Sequence, residues 1–200
     1  MTMKPVTREE FATAFSAAWF EIYEGERKTH LDVLYDEKSD WNAIMFGESP
    51  KELDGTSLLE RAISKLRADR GISFDRERQK VDVFGRIKVC DFDDHAAYAN
   101  AIMIEVENNT STCYEEFWKL LHSRCPLKVL ITYDLVNPKD LVRARARIAE
   151  MFQKASRVLG SDDLESYLLI VGKWAKESRE IRWSFEQMTS DGRFIELPTP

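Results

Sequence analysis

The chain has 200 residues, of which 44% are hydrophobic and 32% charged, enough to bury a core and read as a single domain over 1–200. Eight glycines and six prolines exclude a collagen-like or linker-dominated chain, and eleven Phe, six Tyr and five Trp exclude intrinsic disorder. With 35 acids against 29 bases the net charge is −6, so no global field draws the protein to nucleic acid or an anionic membrane, and any polyanion site must be a local patch.

The amino terminus has no apolar h-region, and no apolar run approaches the roughly 18 residues that span a bilayer, so a cytoplasmic protein is expected. Cys90, Cys113 and Cys125 are an odd number in apolar or mixed surroundings, as suits reduced thiols. No internal repeat or domain boundary is visible.

In chain order, Thr7 and Glu10 form a capping box, and Phe11, Phe15, Trp19 and Ile22 recur at helical spacing, predicting a helix over 7–23. An irregular helix is expected over 31–46. Ser57 with Glu60 opens a helix over 57–69, with Leu59, Ile63 and Leu66 on one face. Residues 1–56 thus read as a helical extension. From residue 80 the period changes to two: a strand over 80–89, a polar loop from Asp91 to His95, and a strand over 101–107. In the latter, Ile102, Ile104 and Val106 face one way and Met103, Glu105 and Glu107 the other. Thr112 and Glu115 can cap a short helix carrying Phe117 and Leu121, and 127–133 is a continuous apolar strand. Asn137 as N-cap and Pro138 at the first position open a helix over 138–159. Beyond it, Tyr167 to Val171 reads as a buried strand. Ile181, Trp183 and Phe185 alternate with Arg182, Ser184 and Glu186 as in a half-exposed strand, and Ser190-Asp191-Gly192 turns into Phe194 to Leu197. The expected class is α/β, a central mixed sheet flanked by helices.

Chemistry concentrates in Ile104-Glu105-Val106-Glu107. Two acids two positions apart on an apolar strand point the same way and cannot both ionise cheaply without a cation. Asp82, between Val81 and Val83 on the neighbouring strand, is a third carboxylate that could meet the same ion, the oxygen ligand set of Mg²⁺ or Mn²⁺. Lys119 on the following helix is placed to stabilise charge or orient water.

The order Asp82, Glu105-x-Glu107, a helix with Lys119 and the buried strand from Lys128 to Tyr133 resembles the PD-(D/E)xK, or restriction-endonuclease-like, nuclease superfamily over residues 57–134. The resemblance implies an αβββαβ core, with residues 135–200 adding a long helix and further strands. It implies that Asp82 and Glu105 hold Mg²⁺ or Mn²⁺ and that a lysine positions the attacking water. Glu107 stands where that lysine usually is. The superfamily includes members with Glu at that place and members whose lysine has moved to the next helix, which is where Lys119 lies. The reading is a metal-dependent nuclease with catalytic Asp82, Glu105, Glu107 and Lys119, metal ligands Asp82, Glu105 and Glu107, a DNA substrate, no membrane and a homodimer as its assembly.

Other readings compete. Glu105 and Glu107 could form the solvent side of a half-buried strand, with Lys119 paired to Glu115. The chain could be a decayed nuclease-fold binding module, or an unrelated α/β interaction domain presenting an apolar patch from Trp41, Trp174 and Trp183. Cys113, His122 and Cys125 with Cys90 or His95 form a poorly spaced zinc set. Arg76, Arg78, Lys80, Arg86 and Lys88, and Lys139, Arg143, Arg145, Arg147 and Lys154, are two basic stripes that could track phosphate or pair with nearby acids.

Overall fold

A computed structural model of the chain describes residues 8–26, 58–67, 72–78, 81–92, 95–107, 109–134, 138–159, 165–175 and 180–198. The elements run α1 (Arg8–Glu26), α2 (Leu58–Arg67), β1 (Ile72–Arg78), β2 (Val81–Phe92), β3 (His95–Glu107), α3 (Cys113–Leu121), β4 (Leu127–Asp134), α4 (Pro138–Leu159), β5 (Ser166–Ala175), β6 (Glu180–Met188) and β7 (Phe194–Glu196). The strands form one mixed sheet in sequence order. β1 to β3 are antiparallel, β3 to β5 parallel, and β5 to β7 antiparallel again. Connection length explains the alternation. A hairpin joins β2 to β3, whereas parallel neighbours need a crossover, and α3 and α4 supply the two crossovers. The fold is α/β, a mixed sheet flanked by helices.

Period-two alternation divides the interior into two cores. Leu127, Val129, Ile131 and Tyr133 of β4 pack with Phe15, Trp19 and Tyr23 of α1 and Leu59 and Ile63 of α2. Leu130 belongs to the other core, with Phe117 and Leu120 of α3 and Leu141, Ile148 and Phe152 of α4. β4 is buried on both faces, which is why its sequence is a nearly unbroken apolar run. Each such large side chain contributes about 1.5–3 kcal/mol by leaving water. Trp183 anchors the first core, with its ring edge-on 5.4 Å from Trp19, 5.3 Å from Tyr23 and 5.8 Å from Tyr133. Gly172 allows this closure, since a Cβ there would lie 3.0 Å from ring carbons of Trp183 and Tyr133. Trp183 is therefore core and not surface patch; Trp41 and the Trp174 side chain lie outside the described residues.

The structure departs from the sequence reading at several elements. β1 was not expected, because its sequence ends in the charged run Asp75 to Arg78; it survives by pairing with β2 at the sheet edge. β2 continues to Phe92 and β3 starts at His95, so the stretch read as a polar loop is mostly ladder. Two register shifts interrupt that ladder, between Gly85 and Arg86 and between Lys88 and Cys90. β6 buries Ile181, Trp183 and Phe185 as expected and leaves Arg182 exposed, but Glu186 is not solvated. Arg145 of α4 covers it and takes its carboxylate as a partner. α4 has its expected bounds. Gly192 takes φ +82° in the turn into β7, where its N–H donates to the Thr189 carbonyl at 2.9 Å. The helix expected over 31–46, the caps at Thr7, Ser57 and Asn137, and Lys80 lie outside the described residues. No described helix is long and apolar enough to cross a membrane.

Candidate functional site

The register that pairs Val83 with Ile104 sets Asp82 beside Glu105 one step further along the ladder, on the face covered by α3 and α4. Asp82 Oδ2 accepts the Val106 backbone N–H at 2.9 Å, which fixes the carboxylate at the start of β2. Glu105, opposite Leu130 on the other flank, is 0% exposed; no amide, hydroxyl or ammonium group donates to its oxygens, and the Asp82 and Glu116 carboxyls lie close enough to hydrogen-bond it. Its nearest cation is the Lys119 ammonium, 3.6 Å from Oε2. Lys119 also pairs with Glu116, one helical turn back on α3. Glu116, not Glu115, is thus the helical partner of Lys119; the Glu115 carboxylate takes the Tyr114 hydroxyl at 3.2 Å.

The β3–α3 loop places the helix over the carboxylates. Glu107 Oε1 accepts the Asn109 N–H at 2.7 Å, and Asn109 Oδ1 accepts from Ser111 N at 3.1 Å and Ser111 Oγ at 2.7 Å. Thr110 donates to the Tyr133 carbonyl and Thr132 to the Glu107 carbonyl at 2.9 Å, stitching the turn to β4. The expected capping box does not form. The Thr112 hydroxyl donates instead to the Asn109 carbonyl at 3.1 Å, and the Thr112 backbone is in the helical region (φ −111°, ψ −4°), not the extended conformation of an N-cap. Cys113, Phe117, Leu120 and Leu121 then point into the core. Glu116 and Lys119 are left at the helix edge beside the acids, half-covered.

The electrostatics follow from this packing. Burial, with the Asp82 charge adding and the Lys119 ammonium opposing, pushes the Glu105 carboxyl up to about 9. Burial also raises Asp82, against the pull of the Val106 N–H, and raises Glu107, against that of Asn109. Desolvation works against the Lys119 charge, yet the hydrogen bond to Glu116 and the charges of Glu105, Glu116 and Asp82 outweigh it and hold the ammonium above its ordinary value. Four acids and one lysine therefore share one field, at the carboxyl ends of β3 and β4 where open parallel sheets present their ligand crevices. Glu116 was missed in the sequence, although its spacing of three from Lys119 was a usable signal.

Among the described residues, no three His, Cys, Asp or Glu groups are gathered closely enough to encase a metal ion. Asp82 and Glu105 remain as a facing pair, and that suits Mg²⁺, which keeps most of its water and uses one or two carboxylates plus substrate phosphate. Glu105, fully buried beside Asp82, is the carboxyl such an ion would have to reach. Zinc does not fit: burial pushes the Cys113 and Cys125 thiols up to about 12, and the Cys125 Sγ–H donates to the Leu127 carbonyl at 3.3 Å. His122 is exposed with Nδ1 2.7 Å from the Trp118 carbonyl, and the Cys90 and His95 side chains lie outside the described residues.

Much of the α4 stripe is paired within the chain. Arg143 meets Asp140 at 3.8 Å, Arg145 meets Glu186, and Lys154 meets Glu150 at 2.6 Å. The Arg147 guanidinium sits 4.6 Å from the Tyr114 ring centroid. Of the other stripe, Arg86 lies 5.8 Å from the Phe84 ring centroid, while the side chains of Arg76, Arg78 and Lys88 are outside the described residues.

No protein-family model and no curated protein sequence matches the chain. Among solved structures, the central domain of yeast acetyl-CoA carboxylase is similar at 13% identity and a TM-score of 0.30 over 58% of this chain, which spans 24% of that one. That likeness is too slight to bear on fold or chemistry.

Proposed function

We propose that the chain is a metal-dependent nuclease that hydrolyses a nucleic-acid phosphodiester, with Asp82 and Glu105 holding Mg²⁺ or Mn²⁺. The observation that carries the reading is Glu105: a fully buried carboxyl to which no amide, hydroxyl or ammonium donates, beside a second carboxyl and a lysine. Burying such a group in charged form costs more than the roughly 1–3 kcal/mol of a neutral polar group, so it keeps its proton; a purely structural strand would shed that cost by using an apolar residue. Support also comes from the order α2, β1, β2, β3, α3, β4, the αβββαβ order of the restriction-endonuclease-like nucleases, with Asp82 on the second strand and Glu105 on the third.

A divalent ion held by this pair would neutralise the carboxylates and polarise a water and a phosphate oxygen. Lys119, held in its charged form, donates to the developing negative charge on the phosphoryl oxygens and cannot serve as the base. Glu107, partly exposed and raised by burial, is the acceptor for the proton of the attacking water. As the water oxygen bonds to phosphorus, the bond to the leaving oxygen breaks and that oxygen takes a proton from solvent. DNA is the proposed substrate, reached through a local patch because the net charge is −6; a cytoplasmic homodimer is the proposed working form.

The test is cleavage of plasmid DNA and of single-stranded RNA with Mg²⁺ or Mn²⁺. Asp82→Ala and Glu105→Ala should each abolish it with the fold intact, and Lys119→Ala should slow it about 10²-fold or more without weakening the metal. Divalent-ion binding with no cleavage of either substrate would leave a decayed binding module, favoured by the way Glu107 is engaged by its own loop. Calorimetry detecting no Mg²⁺ or Mn²⁺ binding would overturn the reading.

A further inference from the structure

We infer that α3 and α4 together present a surface for single-stranded nucleic acid, on which the rings of Tyr114 and Trp118 stack with bases while the exposed cations of α4 follow the phosphates. The inference goes beyond the cleavage reading, since it needs neither a metal ion nor the carboxyl cluster. Tyr114, Trp118 and His122, the C-cap residue, follow one another at intervals of four, which puts three rings in one row along α3. Trp118 is 50% exposed, although an indole is among the side chains that gain most by leaving water. Its position is nevertheless fixed. The His122 ring lies 4.2 Å from the Trp118 ring, centroid to centroid, with the planes at 66°, and its Nδ1–H donates to the Trp118 carbonyl at 2.7 Å. At the other end the row meets α4, where the Arg147 guanidinium sits 4.6 Å from the Tyr114 ring centroid.

The cations gather beside this row, on the same face of the sheet. Lys139, Arg143, Arg147, Lys154 and Arg157 are exposed along α4, where the exposed acid is Glu150. Arg143 and Lys154 face Asp140 at 3.8 Å and Glu150 at 2.6 Å, but exposed pairs of this kind are worth little and are readily exchanged for phosphate. Glu115, the exposed acid next to the row, has its carboxylate engaged by the Tyr114 hydroxyl at 3.2 Å. In a chain of net charge −6 this local excess of cations selects a polyanion. Rings for bases beside cations for phosphates are the two components by which single strands are held. A duplex would use the cations alone, because its bases are already stacked on one another.

The experiment is fluorescence anisotropy on the full chain in EDTA, which removes any metal and any cleavage. The probes are a labelled oligo(dT) strand of about 20 nucleotides and its duplex with oligo(dA), with circular dichroism to verify the folding of each variant. The unmodified protein should bind the strand about tenfold or more tighter than the duplex, and Trp118→Ala should weaken strand binding by about tenfold, the loss of one stacked base. Trp118→Phe should recover part of that loss and Trp118→Leu none, because a base needs the ring and not the apolar volume. Arg147→Lys, which keeps the charge and loses the plane, should weaken the strand by about threefold or more. Equal affinity for strand and duplex, or a Trp118→Ala protein that binds as the unmodified one does, overturns the inference and leaves the cleavage reading standing. So does a protein that binds neither probe in EDTA yet cleaves nucleic acid with Mg²⁺ or Mn²⁺; if it does neither, both readings fall. Trp118-dependent binding to phosphatidylserine vesicles, or a Trp118-dependent dimer in light scattering, by a protein that ignores the strand would make the face a membrane or self-contact and also overturns the inference. Should Trp118→Ala fail to fold, Trp118→Leu and Arg147→Lys decide it, unchanged strand affinity in both being the overturning result.

Discussion

Two ionisable side chains are buried on the same face of the sheet, two residue pairs apart on adjacent strands, and the protein treats them in opposite ways. Lys128 of β4 is 1% exposed, and its ammonium donates to Glu165 at 2.6 Å and to the Tyr167 hydroxyl at 2.9 Å. Tyr167 in turn donates to the same Glu165 oxygen at 2.8 Å, so the charge at this end of the strands is answered on the spot. Glu105 of β3 is equally buried, yet its neighbours are the acids Asp82 and Glu116, and its one ammonium stops 3.6 Å away. A satisfied buried charge serves the fold, because losing either partner is costly. One that lacks a donor persists by keeping its proton or by taking an ion or water, and so perturbed a group is a candidate marker of a site.

The largest expected effect lies on the satisfied side. Lys128→Met should destabilise the protein by about 3–5 kcal/mol in urea unfolding, because it leaves the largely buried Glu165 carboxylate without its cation. A change under about 1 kcal/mol would mean that water already serves Glu165.

At Glu105 the sign should reverse. Glu105→Gln should raise metal-free stability by about 1–3 kcal/mol near neutral pH, since the folded protein must hold there a proton that the unfolded chain has lost and an amide needs none. The pH dependence follows from the same residue. Its carboxyl moves from 4.5 to about 9 on folding, so between those values the folded protein keeps a proton that the unfolded chain has lost. Metal-free stability should be fully present below 4.5 and decline as pH rises through about 9, with Asp82 and Glu107 adding to the same trend. Urea midpoints across this range should fall in the unmodified protein and flatten in Glu105→Gln; a flat profile in both would contradict the burial of the charge.

Mg²⁺ should narrow the contrast by completing Glu105. At ten times its dissociation constant it should add about 1.4 kcal/mol, or about 3–6 °C in Tm for a chain of this size. Neither Glu105→Gln nor Asp82→Ala should respond, and a response in both would place the ion elsewhere.

The smallest effect concerns the turn that carries the site. Thr112→Ala should cost only a few tenths of a kcal/mol, less than the usual loss of an N-cap, because the hydroxyl bonds the Asn109 carbonyl and no helix N–H. A loss above about 1 kcal/mol in thermal unfolding would show that the turn itself supports α3.

The elements whose burial pattern is written in their own residues were legible without a structure. β4 is apolar except at Lys128, Thr132 and Asp134 because both its faces are covered, α4 presents Leu141, Ile148 and Phe152 at helical spacing, and the 101–107 segment alternates because one face meets α1 and α2 and the other α3. The same alternation placed Glu105 and Glu107 on one side, while Asp82 and Lys119 became candidates through the neighbouring strand, the following helix and the nuclease resemblance. What depended on other parts of the chain was not legible. β1 is a strand because β2 offers it a ladder, Glu186 is buried because Arg145 reaches it from α4, and Trp183 is core because Gly172 leaves room for its ring. Nor could spacing alone say which carboxylate holds Lys119. Glu115 and Glu116 are both one turn away, and the choice of Glu116 follows from the rotation of α3 that buries Phe117 and Leu120 and turns Glu116 toward β3. Local composition determines which residues must leave water; only the packed neighbours decide which buried group is answered as a charge and which keeps its proton.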